Sequence, residues 1–329
     1  MSLLLATMLA PFAMKSTAQS MSHEDTSYTV RSATVKMLKK FPDARLVGPE
    51  LPKGVVAYTD IVFASYGSRH LRLDLFMPDS SGGGPYPGVI LIHGGGWSSG
   101  SRSMLVPMAE RLAARGYVTA TVDYRLSGEA LYPAAVYDLK AAVRWMRANA
   151  EQYRVDPSKI AAYGCSAGGE LASFIGTTNG VSKFEGEGGY GEFSSEVQAI
   201  VNVDGLLDFT NANSTKYDKN PAKPSAAHRW LGDSYKDDPA LWKAASPISY
   251  VSKHVPPMLL INSSMAHYHA GRDKMVHRLN TLGVYSEVDS LPGTIHTFWL
   301  FHPWFEKTLD YTSTFLDKTL KLGLVKQDP

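Results

Sequence analysis

Two short motifs carry the residue types that could do chemistry. Gly164-Cys165-Ser166-Ala167-Gly168 spells G-x-S-x-G, the pattern of a serine held on a sharp turn. A serine hydroxyl is a weak nucleophile until a base takes its proton, and small flanking residues let the chain turn so that Oγ projects to where a base can reach it. The second motif is His93-Gly94-Gly95-Gly96-Trp97. Residues without side chains let backbone N–H groups come close to a ligand, as an oxyanion hole requires. Donors held at hydrogen-bond distance from a developing oxyanion stabilise the transition state by about 3–4 kcal/mol. Together the motifs predict acyl transfer through Ser166.

That chemistry needs Ser166 between a strand and a helix, and the surrounding pattern supplies both. Residues 160–163 are apolar and precede the serine, and a helix is expected to start at it. The same rhythm runs through the chain. Residues 55–63 and 70–76 alternate as an edge hairpin around Gly67; residues 88–92 are a continuous apolar run, and residues 118–122, 199–203 and 258–261 are further largely apolar segments. Helical spacing at 104–114 and 134–149 separates the first of these, and further helices are expected near 272–282 and 305–320, with a strand near 285–289. Apolar runs alternating with helices predict an α/β fold with a mostly parallel central sheet flanked by helices. A polar, Trp-containing stretch at about 205–250 interrupts the alternation and is expected to form a small cap over the carboxyl edge of the sheet.

Composition narrows the function classes. The chain has 329 residues, 44% hydrophobic and 19% charged, with a formal net charge of +2. It carries no basic block of the kind that binds nucleic acid or a membrane surface. Its single cysteine, Cys165, excludes an intramolecular disulfide and a multi-cysteine zinc site. The histidines show no H-E-x-x-H spacing, so neither a metal nor another cofactor is implied. The run from Leu3 to Met14 followed by Ser16-Thr17-Ala18 has the shape of a signal-peptide core and cleavage site, without basic residues before it. The expected organisation is a signal peptide and flexible N-terminus over 1–27, an extension over 28–54, and a catalytic domain over 55–322. The mature protein would be secreted or periplasmic, with no membrane anchor.

The motifs, together with Asp123-Tyr124-Arg125-Leu126, Tyr132-Pro133-Ala134-Ala135 and Gly169, resemble the H-G-G-G-W esterases of the α/β-hydrolase superfamily over about residues 55 to 320. The resemblance implies an oxyanion hole from Gly95, Gly96 and Ala167. It also implies a base on the loop Pro292-Gly293-Thr294-Ile295-His296-Thr297-Phe298, which makes His296 the general base; His302, among aromatics, is the rival. The acid departs from the pattern. Such esterases carry an aspartate shortly after the strand equivalent to 258–261, and here the chain reads Asn262-Ser263-Ser264-Met265-Ala266-His267. Asp273 is the nearest carboxylate and the favoured acid, Asp204 the alternative acid, and Glu170, on the helix after Ser166, a third carboxylate near the site.

The segments 261–264, 269–273 and 299–304 also look like those of secreted carbohydrate esterases, with serine-dependent pectin methylesterases nearest in likeness. On that resemblance Arg272 would pair with a uronate carboxylate, while Trp97, Trp299 and Trp304 would stack on sugar rings. The expected function is hydrolysis of esters on plant cell-wall carbohydrate, either methyl-esterified pectin or acetylated or feruloylated xylan. The alternatives are a general short-chain carboxylesterase and an inactive hydrolase fold that binds carbohydrate.

Overall fold

The computed structural model describes residues 28–79, 83–220 and 222–323; the signal-like stretch up to residue 27 lies outside them. An N-terminal helix α1 (Val30–Lys40) and a two-residue strand β1 (Arg45–Leu46) precede a hairpin of β2 (Val55–Tyr66) and β3 (Arg69–Pro78). Then follow β4 (Tyr86–Ile92), α2 (Val106–Ala114), β5 (Val118–Val122), α3 (Ala134–Ala148), α4 (Ala150–Tyr153), β6 (Val155–Cys165), α5 (Ala167–Thr177) and β7 (Ala199–Val203). Short helices α6 (Ala212–Thr215), α7 (Ala226–Leu231) and α8 (Pro239–Ala244) form the insertion. The chain closes with β8 (Met258–Asn262), α9 (Arg272–Thr281), β9 (Ser286–Ser290), β10 (Phe301–His302) and α10 (Trp304–Leu316).

Eight strands form one sheet in the order β2-β3-β5-β4-β6-β7-β8-β9. The pairs from β5 to β9 are parallel, while β3 runs antiparallel to both its neighbours. This is the α/β-hydrolase fold. Because alternate residues of a strand face opposite sides, the apolar runs feed two cores: Ile90 and Ile92 of β4 join Ala162 of β6 on one face, and Val89 and Leu91 join Tyr163 and Cys165 on the other. Two-sided burial is why these strands read as continuous apolar runs.

The parallel strands place their carboxyl ends along one edge, and the loops there carry every residue of the site. The insertion packs against the same edge. Trp230 of α7 stacks on Trp97 with centroids 5.0 Å apart, and Phe209, Trp230 and Trp242 belong to the same core cluster as β4 and α3.

Candidate active site

β6 delivers Ser166. Its backbone sits at φ 57°, ψ −122°, a region closed to most L residues and stored strain where it occurs. The turn closes so tightly that a Cβ on Gly164 would lie 1.9 Å from the Gly168 carbonyl oxygen, so the first glycine of G-x-S-x-G is dictated by the backbone four residues on. The Ser166 N–H donates to Val203 O at 2.8 Å, tying the elbow to β7.

The loop after β4 lies directly on the elbow. A Cβ on Gly94 would stand 3.0 Å from Ser166 Cβ, a gap that only hydrogen can fill. Gly95 and Gly96 follow at φ 130° and 58°, and Ala167 opens α5 and is 3% exposed. The Asp123–Leu126 segment braces this loop: Tyr124 Oη donates to His93 O at 3.0 Å, Arg102 reaches Asp123 at 2.7 Å, and Arg125 holds the buried Asp138 of α3 at 2.7 Å.

His296 completes a relay. Its Nε2 lies 2.7 Å from Ser166 Oγ and its Nδ1 lies 3.0 Å from Asp204 Oδ2. With the proton on Nδ1 donated to Asp204, Nε2 is left to accept from the serine hydroxyl. Asp204 stands one residue past β7 with φ 51°. Its Oδ1 accepts from the Ser263 N–H at 2.9 Å and its Oδ2 from Ser263 Oγ at 2.6 Å. Burial pushes the His296 imidazole below its ordinary pKa, against the opposing pull of the Asp204 hydrogen bond and charge.

Asp273 is not the carboxylate that meets His296. It opens α9 with its side chain 86% exposed and accepts from Arg272 Nε at 2.8 Å, as a carboxylate in the first turn of a helix commonly does. The stacking expected of Trp97 and Trp299 changes too. Trp97 is 5% and Trp299 3% exposed, so neither has a face free to stack on a sugar: Trp97 Nε1 donates to Glu170 Oε2 at 3.0 Å, and Trp299 packs edge-on to His296 at 4.9 Å. Trp304 packs against Phe41. Arg272 is engaged by Asp273 and by Asn262 Oδ1 at 3.3 Å. His302 pairs with Glu306, away from the serine.

Glu170 is fully buried, with Oε1 lacking a hydrogen-bond partner among the described residues. Burial raises its pKa well above the ordinary carboxylate value, against the opposing hydrogen bond from Trp97. Cys165, also fully buried, donates Sγ–H to Tyr163 Oη at 3.4 Å, and burial pushes its thiol pKa up. The sequence reading missed Ser263 and Tyr268, whose ring lies on His296 at 3.4 Å between centroids; no local pattern marks either residue. Among the described residues no cluster of His, Cys, Asp and Glu could hold a metal ion, and no helix is long and apolar enough to cross a membrane.

A strained serine at a strand-to-helix turn, a histidine in reach of it and a buried aspartate behind that histidine are accompanied by a family match: residues 73–277 fit the BD-FAE model. The chain belongs to the BD-FAE family. It is similar to two Mycobacterium tuberculosis proteins, esterase LipQ (32% identical over 64% of this chain) and the probable carboxylic ester hydrolase LipM (31% over 73%). This BD-FAE chain spans 48% of LipQ and 56% of LipM. Among solved structures it is similar to a truncated carbohydrate esterase from gut microbiota, with TM-score 0.67, 25% identity, and coverage of 83% of this chain and all of that one. It is also similar to a bifunctional GH43-CE protein of Bacteroides eggerthii, with TM-score 0.67, 29% identity, and coverage of 79% of this chain and 38% of that one. A third is Thermogutta terrifontis esterase 2 phosphoramylated by tabun, with TM-score 0.65, 25% identity, and coverage of 82% and 96%.

Proposed function

We propose that this BD-FAE chain is a serine esterase acting on esterified plant cell-wall carbohydrate. The observation that carries the esterase reading is the unbroken relay Ser166 Oγ, His296, Asp204. Ser166 Oγ attacks the ester carbonyl carbon as Nε2 of His296 takes its proton, and Asp204 stabilises the imidazolium. The backbone N–H groups of Gly95, Gly96 and Ala167 hold the oxyanion. The imidazolium then returns the proton to the leaving alcohol, and water, activated by the same histidine, clears the acyl group from Ser166. No cofactor takes part in these steps.

Support for a carbohydrate substrate comes from polarity and from likeness. A cleft of about 900 Å³ beside the oxyanion loop is bordered by Ser98, Arg102, Asp123, Ser127, Glu129 and Arg229 and not by Ser166 or His296, so its polar lining suits hydroxyl groups next to the ester and not the ester itself. One of the similar structures is named as a carbohydrate esterase and another as a bifunctional GH43-CE. The apolar run from Leu3 to Met14 supports delivery outside the cytoplasm, where such polymers are found.

Release of methanol from pectin and of acetate from acetylated xylan, with Ser166→Ala as the blank, tests the reading. Methanol alone assigns a methyl-esterified uronide, and acetate alone a sugar O-acyl ester. Neither product, with p-nitrophenyl acetate still cleaved, sinks the carbohydrate assignment and leaves a short-chain carboxylesterase. An intact protein that no serine-directed phosphonate labels would count against the enzyme and support the carbohydrate-binding alternative.

A further inference from the structure

The loop between β8 and α9 holds no member of the relay, yet it surrounds the general base. This is the place where esterases of the resembling pattern carry their acid, and here the chain supplies other groups instead. Ser263 binds both oxygens of Asp204, and Met265 Sδ accepts from the His296 N–H at 3.4 Å. The next turn, Ala266–His269, lays Tyr268 flat against the imidazole, with ring centroids 3.4 Å apart and planes 5° from parallel. Trp299 meets the same imidazole edge-on, and His267 backs the Tyr268 ring at 4.0 Å.

An imidazole held only by in-plane bonds at Nδ1 and Nε2 can still tilt about the line joining them. A ring pressed on its face blocks that tilt. The face of a tyrosine ring is also its electron-rich side, so it attracts a cation more than a neutral ring. His296 is neutral when it waits and cationic once it has taken the serine proton.

We infer that Tyr268 is a positioning residue for His296, its ring fixing the imidazole plane and its π face favouring the imidazolium that forms as Ser166 attacks. Because the attraction is stronger in the charged state, it acts on the chemical step and leaves substrate binding alone. The hydroxyl has no share in this: it makes no hydrogen bond among the described residues, and the group that faces His296 is the ring.

The inference rests on the esterase assignment, and the test keeps the two apart. In the full chain, kcat and KM are measured with p-nitrophenyl acetate for Tyr268→Leu and Tyr268→Phe, together with the second-order rate of Ser166 labelling by a p-nitrophenyl phosphonate. Tyr268→Leu should lower kcat and the labelling rate roughly ten-fold with KM unchanged, while Tyr268→Phe stays within about two-fold of the parent on both. Tyr268→Met fills a similar volume without a π face and repeats the comparison if the leucine variant melts early. Unchanged rates in Tyr268→Leu and Tyr268→Met, a loss confined to KM, or an equal loss in Tyr268→Phe would each overturn the proposal. A parent protein that neither turns over p-nitrophenyl acetate nor is labelled at Ser166 would instead overturn the esterase assignment itself.

Discussion

Asp204 and Asp273 are both aspartates on loops at the carboxyl edge, and what separates them is the backbone each stands on. The left-handed φ of 51° at Asp204, tolerated by aspartate better than by most residues, turns its carboxylate toward His296; Asp273 begins a helix and points to water. Asp204→Asn should therefore reduce kcat by on the order of 10³–10⁴, through loss of the charge and of the Nδ1–H tautomer, and Asp273→Asn should leave it within about two-fold. Steady-state kinetics on one ester substrate decides between them. The base must be neutral to accept a proton, and burial holds its pKa below 6.5, so activity is lost as pH falls through a midpoint under that value. A kcat/KM profile with its acid limb above 6.5 would contradict this. Glu170 gives a stability prediction of its own. Its folded pKa lies well above the unfolded one, so as pH rises past the unfolded value the unfolded chain loses a proton that the native chain keeps, and native stability falls. Glu170→Gln removes that dependence, and its melting temperature relative to the parent should rise from pH 4 to pH 8. The placement of Ser166 and His296 within reach of each other was legible because each lies in a dense local motif. The acid was not, since choosing between residues 204 and 273 needs the spatial order of β7 and β8. Trp97 and Trp299 were misplaced for a similar reason: a tryptophan beside a motif reads the same whether it faces solvent or core.

Among the elements, the N-terminal segment is the one whose role local patterning concealed. Polar to the eye, it hides Ala33 and Met37 of α1 in the second core cluster, and β1 then pairs antiparallel with β10, Arg45 opposite His302 and Leu46 opposite Phe301. The strand it pairs with begins five residues after His296, so the segment fastens the far end of the loop that carries the base. Met37→Ala should cost about 2–5 kcal/mol in denaturant unfolding, as for other buried methionines cut to alanine; a cost under 0.5 kcal/mol would show that α1 is not part of the core. Most strands matched their apolar runs closely, and β6 did not. Expected over 160–163, it spans Val155–Cys165, because Pro157, Ser158 and Lys159 break the apolar pattern where the pairing with β4 shifts register between Pro87 and Gly88. A bulge of this kind has no apolar signature.

For the molecule as a whole, the βαβ rhythm was enough to give the sheet, since buried parallel strands leave a strong mark in sequence. The cap was legible as an interruption and not as a packing partner, because its apolar residues are scattered: Phe209, Trp230 and Trp242 converge only in space, where they join the cluster beneath the sheet. A cap that shares the main core should not melt alone. Loss of near-ultraviolet circular dichroism, which reports these tryptophans, should coincide with loss of helix signal in one thermal transition; two separated transitions would mean an independent cap. Cys165 adds a consequence of another kind. It is the chain's single cysteine, sealed beside the nucleophile with its thiol held protonated, so it can offer no thiolate to an oxidant or an alkylating agent and no disulfide within the chain for a reductant to open. Thiol–disulfide poise is therefore a variable to which this fold is indifferent: glutathione-rich and disulfide-forming surroundings offer it no intrachain bond to make or break.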